Sequence, residues 1–149
     1  MELPLELPLD SDGFLRRECP SCLEEFKWHH GPTDGAPEAF IYPQLHFCPR
    51  CGRSAPLDAW WTRAQLEYQQ EVVSASAGDI LRQTMKGLGS TGLKFKTGSS
   101  QKPSVPDPLF EANDMMMIAP PCHAWEPVKV PAEARSPFYC LLCGQAYAL

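Results

Sequence analysis

The stretch Cys48-Pro-Arg-Cys51-Gly52 decides how this 149-residue chain is read. Two residues between cysteines let a tight turn aim both thiolates at one ion, while the backbone N–H groups of the turn point at the sulfurs and offset their charge. A glycine after the second cysteine suits the left-handed position that closes such a turn. The unit recurs as Cys19-Pro-Ser-Cys22 and as Cys140-Leu-Leu-Cys143-Gly144, and the one remaining cysteine, Cys122, is followed directly by His123. Seven is an odd number, which fits poorly with a closed disulfide framework. The opening Met1-Glu-Leu-Pro-Leu-Glu-Leu-Pro-Leu carries acids and prolines where a signal peptide carries a basic region and an apolar run. The expectation is therefore a reduced, cytoplasmic protein whose paired cysteines are metal ligands or redox centres.

Working outward, Phe14-Leu-Arg-Arg-Glu leads into the first turn as a strand, and Leu23-Glu-Glu-Phe26-Lys-Trp28 leaves it with Phe26 and Trp28 on one face. Gly31 to Pro37 is a loop by composition, and Phe40-Ile-Tyr42 and Leu45-His-Phe47 return towards the second turn. Cys19, Cys22, Cys48 and Cys51 then form a set of four. Residues 14–53 resemble the zinc-ribbon proteins, in which two knuckles on β-hairpins clasp one ion. The resemblance implies a structural zinc and leaves the function open, because ribbons serve unrelated functions. Cys48-Pro-Arg-Cys51-Gly52 also resembles a rubredoxin knuckle, which holds iron, but Leu23 stands where that pattern has glycine, and zinc is favoured. Thioredoxin-type chemistry needs a lone C-x-x-C opening a helix in a βαβ unit, which this pattern does not offer.

The second set is less complete. Met115 to Ile118 reads as a short apolar strand before the Cys122-His123 turn, Val128-Lys-Val130 as another, Phe138-Tyr-Cys140 as a third and Gln145-Ala-Tyr147 as a last. Cys122, Cys140 and Cys143 supply three thiolates. His123 is favoured as fourth ligand, with Glu126 and water as alternatives; three protein ligands plus water would be a catalytic pattern with Glu126 as base. The zinc deaminase signature fails on spacing, since Glu126 lies three residues after His123 and Pro137 is not adjacent to Cys140.

Between the sets, Asp58 is a candidate N-cap for a helix whose stripe is Trp61, Ala64, Tyr68, Val72 and Ala75, and Ser76-Ala-Gly-Asp79 a candidate capping box for a second, shorter helix ended by Gly87 and Gly89. Residues 88–108 are rich in Gly, Ser, Thr and Pro and read as a flexible linker. No acid lies between Asp79 and Asp107, while Arg82, Lys86, Lys94, Lys96 and Lys102 give five positive charges; with a net charge of −5, the rest of the chain carries −10. That balance disfavours wholesale nucleic-acid binding. No apolar run approaches the ~18 residues of a membrane span.

The sequence thus predicts a small, metal-stabilised α+β fold with two zinc-ribbon hairpin modules. An acidic Leu/Pro tail (1–12) precedes a four-cysteine ribbon (13–56), a helical segment (57–87), a basic linker (88–110) and a second ribbon (111–149). Two zinc ions per chain are expected, held by Cys19, Cys22, Cys48 and Cys51, and by Cys122, His123, Cys140 and Cys143. The favoured function is a non-catalytic interaction or adaptor protein, its Trp/Tyr-rich helix docking a protein partner or a second copy. The alternatives are a nucleic-acid-binding or transcription-associated ribbon and a zinc hydrolase using the second site.

Overall fold

A computed structural model describes residues 7–88 and 107–149. The described residues fall in two units, each taken by itself: Leu7–Arg63 with Phe110–Leu149, and a second that begins at Ala64. In the first unit, strands β1 (Phe14–Glu18), β2 (Glu25–His29), β3 (Leu45–Phe47) and β4 (Ser54–Pro56) belong to the N-terminal half. Strands β5 (Met116–Ile118), β6 (Val128–Val130), β7 (Phe138–Tyr139) and β8 (Ala146–Tyr147) belong to the C-terminal half. The expected modules are not separate bodies. β1, β2, β6 and β5 form one antiparallel sheet in that order, with β2 paired to β6 so that Lys27 faces Lys129. β3–β4 and β7–β8 are two-stranded hairpins.

Register sorts the sheet into two faces. Leu15, Arg17, Phe26, Trp28, Val128, Val130, Ile118 and Met116 share one face. Phe26, Val128, Val130 and Ile118 join Trp60, Phe138, Leu141 and two ligand-set cysteines, Cys19 and Cys48, in a single apolar cluster drawn from both halves. Trp60 lies before the helix, and its carbonyl accepts from the Glu18 N–H at 3.0 Å. A sheet this small buries enough area only because both halves supply the same core.

The opposite face is ionic. Lys27 (0% exposed) and Lys129 (2%) sit directly opposite one another, an arrangement that is destabilising for like charges unless it is compensated. Asp10 compensates both: its Oδ2 accepts from Lys27 Nζ at 3.2 Å and from Lys129 Nζ at 2.9 Å. Glu111 and Asp114 add to Lys27, and Asp12 and Asn113 to Lys129. Burial pushes the Asp10 carboxyl up. Hydrogen bonds from Lys129, the N–H groups of Phe14 and Asp12, and Lys27 outweigh it and hold Asp10 well below the usual carboxylate range. Residues 10 and 12, expected in a tail, therefore pair with the lysines on the ionic face of the sheet; residues 1–6 of that tail lie outside the described residues.

Further expectations are corrected. The helical segment is one α-helix, α1 (Arg63–Leu88), not two. Ser76-Ala-Gly-Asp79 does not restart it, because the segment contains no proline and a lone glycine costs only about 1 kcal/mol in a helix. Asp58 sits in a turn ahead of α1, and Trp61 lies outside it. Of the expected stripe, Val72 and Ala75 are buried and Ala64 is exposed. Phe40–Tyr42 is not a strand. Residues 89–106 of the expected linker lie outside the described residues.

Candidate metal centres

Three knuckles share one backbone frame. In each, the N–H of the residue after the second cysteine donates to the carbonyl of the first: Leu23 to Cys19 at 2.9 Å, Gly52 to Cys48 at 2.8 Å, Gly144 to Cys140 at 2.8 Å. The first cysteine's N–H then donates to the carbonyl one residue further on, that of Glu24, Arg53 or Gln145. The closing residue has positive φ in all three: 63° at Leu23, 78° at Gly52 and 76° at Gly144. Leu23, whose side chain is exposed, thus adopts the glycine-like conformation, and the departure from the rubredoxin pattern does not disturb the turn. Inside the turns, Ser21 and Cys22 N–H groups point at Cys19 Sγ (3.3 and 3.4 Å), and those of Arg50 and Cys51 at Cys48 Sγ (3.3 and 3.4 Å).

The eight expected residues come together in two sets, each with its donor atoms within 4.8 Å of one another. In the first, Cys19 Sγ lies 3.7 Å from Cys51 Sγ and Cys22 Sγ 3.8 Å from Cys48 Sγ. In the second, Cys122 Sγ is 3.5 Å from Cys143 Sγ, and Cys140 Sγ is 3.4 Å from His123 Nδ1. Sulfurs bound to a tetrahedral zinc at about 2.3 Å lie about 3.8 Å apart, and a sulfur–nitrogen edge is about 3.5 Å. A disulfide would need about 2 Å, and all seven cysteines are free. Both sets fit zinc-ribbon-like sites. Burial pushes the Cys48 thiol up strongly and Cys140 up to about 12. An ion at either site must therefore displace a proton from a buried thiol, and occupancy weakens as pH falls.

His123, on a 3-10 turn spanning Pro121–His123, fills the place for which Glu126 was the alternative. Its ring sits 6.0 Å from Phe40 and 5.7 Å from Trp125, centroid to centroid. The loop of the N-terminal half thus helps place a donor of the second set, and Thr33 fastens it by donating to the Trp125 carbonyl. Glu126 lies outside both sets; it is buried in a separate pocket, where burial pushes its carboxyl up to about 7 with His29 opposing.

The sequence did not disclose how the two sets are joined. The Phe47 N–H donates to the Leu141 carbonyl at 2.9 Å, and the Tyr139 N–H to the Pro49 carbonyl at 3.0 Å. A Cβ on Gly52 would fall 2.9 Å from the Tyr139 ring, and one on Gly144 2.6 Å from the Phe47 ring. Each knuckle's leading aromatic therefore covers the other knuckle's closing glycine, a reciprocal arrangement matching the Lys27–Lys129 pairing. The available signal was the shared string aromatic-Cys-x-x-Cys-Gly at 47–52 and 139–144.

Comparison with protein-family models, with curated proteins and with solved structures finds no match to this chain.

Proposed function

We propose that this is a non-catalytic protein in which two zinc ions are structural and the fused ribbons form a rigid platform for a protein partner. The observation that carries the reading is the closure of both sets by four protein donors, with the two knuckles docked on one another. Three cysteines and a histidine at the second site occupy the position that a hydrolytic water would need, and Glu126 is not among them. Free thiols suit a reducing compartment, the cytoplasm. No described helix is long and apolar enough to cross a membrane. On α1, Leu66 and Val73 are exposed and seven residues apart, so they share a face and supply the apolar anchors that a partner or a second copy would use.

The nucleic-acid alternative rests on Arg50 and Arg53 near a knuckle and on the basic stretch, whose Lys94, Lys96 and Lys102 lie outside the described residues. Metal analysis with native mass should give two zinc per chain, and titration with short DNA and RNA at low salt should leave fluorescence anisotropy unchanged. Fewer zinc ions in the folded protein would overturn the structural role. Salt-sensitive binding would favour the nucleic-acid reading.

A further inference from the structure

Apart from the two metal sets, the first unit contains a pocket of about 270 Å³ lined by Trp28, His29, Gly31, Pro32, Tyr42, His46, Leu57 and Glu126, none of them a member of either set. Three of its lining residues carry a buried polar atom without a hydrogen-bond partner: Glu126 Oε2, Tyr42 Oη and His46 Nδ1. Leaving such atoms unpaired is costly, and each asks for a ligand or a structural reason. Glu126 is only 4% exposed and is the only acid among the lining residues. His46 Nδ1 is an acceptor in the tautomer that carries its proton on the other ring nitrogen. The unmet groups are a carboxyl oxygen, an imidazole nitrogen and a phenol, which a ligand carrying several N–H groups can satisfy together.

A metal ion does not answer it. Only the two sets already described bring three or more His, Cys, Asp or Glu donor atoms within 4.8 Å among the described residues, so the two histidines and Glu126 do not converge on one point. An anion would meet the Glu126 carboxyl. An organic cation with several N–H groups spans separated acceptors, and the Trp28, Pro32, Tyr42 and Leu57 walls suit the alkyl chain behind it. No arginine or lysine lines the pocket, and Arg17 is held on Trp28 at 4.6 Å and towards Trp61 at 5.7 Å from the ring centroids. We propose that this pocket is a binding site for an alkylguanidinium or alkylammonium group, with Glu126 as its counter-ion. As a site for a partner's arginine or lysine side chain it rests on the adaptor reading above. As a site for a free small cation it stands without that reading.

The test uses the full-length zinc-loaded chain, titrated with n-butylguanidinium, with n-butylammonium, with a short peptide carrying one central arginine, and with propionate as anionic control. Backbone and indole N–H resonances are followed by two-dimensional NMR. At least one cation should bind at about a millimolar or tighter, with shifts confined to the lining residues, while propionate does not bind. Glu126→Gln should weaken binding about tenfold or more with two zinc still bound, and Tyr42→Phe, which removes only the hydroxyl, should weaken it less. A peptide at least tenfold tighter than butylguanidinium identifies a partner's side chain as the source. Equal affinities identify a free small cation and withdraw this support from the adaptor reading. No saturable shift at about 10 mM, binding undiminished in Glu126→Gln, or shifts centred elsewhere would overturn the proposal; should Glu126→Gln fail to fold, an unweakened Tyr42→Phe that binds propionate equally would do so.

Discussion

The N-terminal and C-terminal halves of the sheet unit are built on one plan and finished differently. Each has a pair of strands in the common sheet, a second two-stranded hairpin, and a knuckle whose leading aromatic covers the other half's glycine. The N-terminal half closes its site with four thiolates, two of them fully buried. The C-terminal half replaces one knuckle with a 3-10 turn carrying Cys122 and His123, and Cys122 and Cys143 are exposed. The contrast separates what the plan requires from what it tolerates. The docked pair of C-x-x-C-Gly knuckles is kept in both halves, whereas the partner turn can vary in ligand type and exposure.

The strongest way to break this comparison is to delete one ligand in each half. Zinc contributes about 10–16 kcal/mol to the folding of zinc-finger peptides, more than a core this small provides. Cys48→Ser and Cys140→Ser should each unsettle both halves, seen as loss of sheet signal in far-ultraviolet circular dichroism and as less than one zinc per chain. If Cys140→Ser retains one zinc and the Cys19–Cys51 half stays folded, the halves are independent.

The shared carboxylate comes next. Asp10→Asn leaves Lys27 and Lys129, one from each half, opposed without their common counter-charge, and should cost about 3 kcal/mol in urea unfolding. Because the folded-state pKa of Asp10 is depressed, its contribution is complete above about pH 4 and is lost as pH falls further. The loss in the variant should therefore be constant across about pH 6–8, where Asp10 stays ionised and the thiolate sites can stay loaded. A loss that changes across that range, or none, would remove Asp10 from the role given to it.

Smaller effects sharpen the contrast between knuckles. Gly144→Ala and Gly52→Ala each place a side chain at positive φ and against an aromatic ring, and should each cost about 1–3 kcal/mol in thermal unfolding. Gly144→Ala should cost the more, since its Cβ would meet Phe47 at 2.6 Å against 2.9 Å for Gly52 and Tyr139. Leu23→Gly should do the reverse. Leu23 holds the same conformation with its side chain exposed, so relieving it should stabilise by up to about 1 kcal/mol, read as a rise in Tm.

What could be read from the sequence was local. Cysteine spacing marked all three knuckles, and β1 was legible to the residue because Phe14 to Glu18 sits between turn signals. Gly87, expected to end the helix, lies within α1, and Gly89 lies outside the described residues. What escaped depends on distant partners. Lys27 and Lys129 alternate with apolar residues, and nothing local tells that segments 10–12 and 111–114 cover that face with opposite charge. β4 carries Ser, Ala and Pro, poor strand formers, and exists because β3 pairs with it. The single long helix was hidden by Ser and Gly residues whose local preference is too weak to break it.

The most direct test of whether the two halves form one metal-locked body is native mass spectrometry of the reduced, metal-free chain titrated with zinc. With the knuckles docked reciprocally, one equivalent should give mainly metal-free and two-zinc forms, with the one-zinc form a minor species. A dominant one-zinc form at one equivalent, carrying a folded N-terminal half, would contradict the coupling of the two sites.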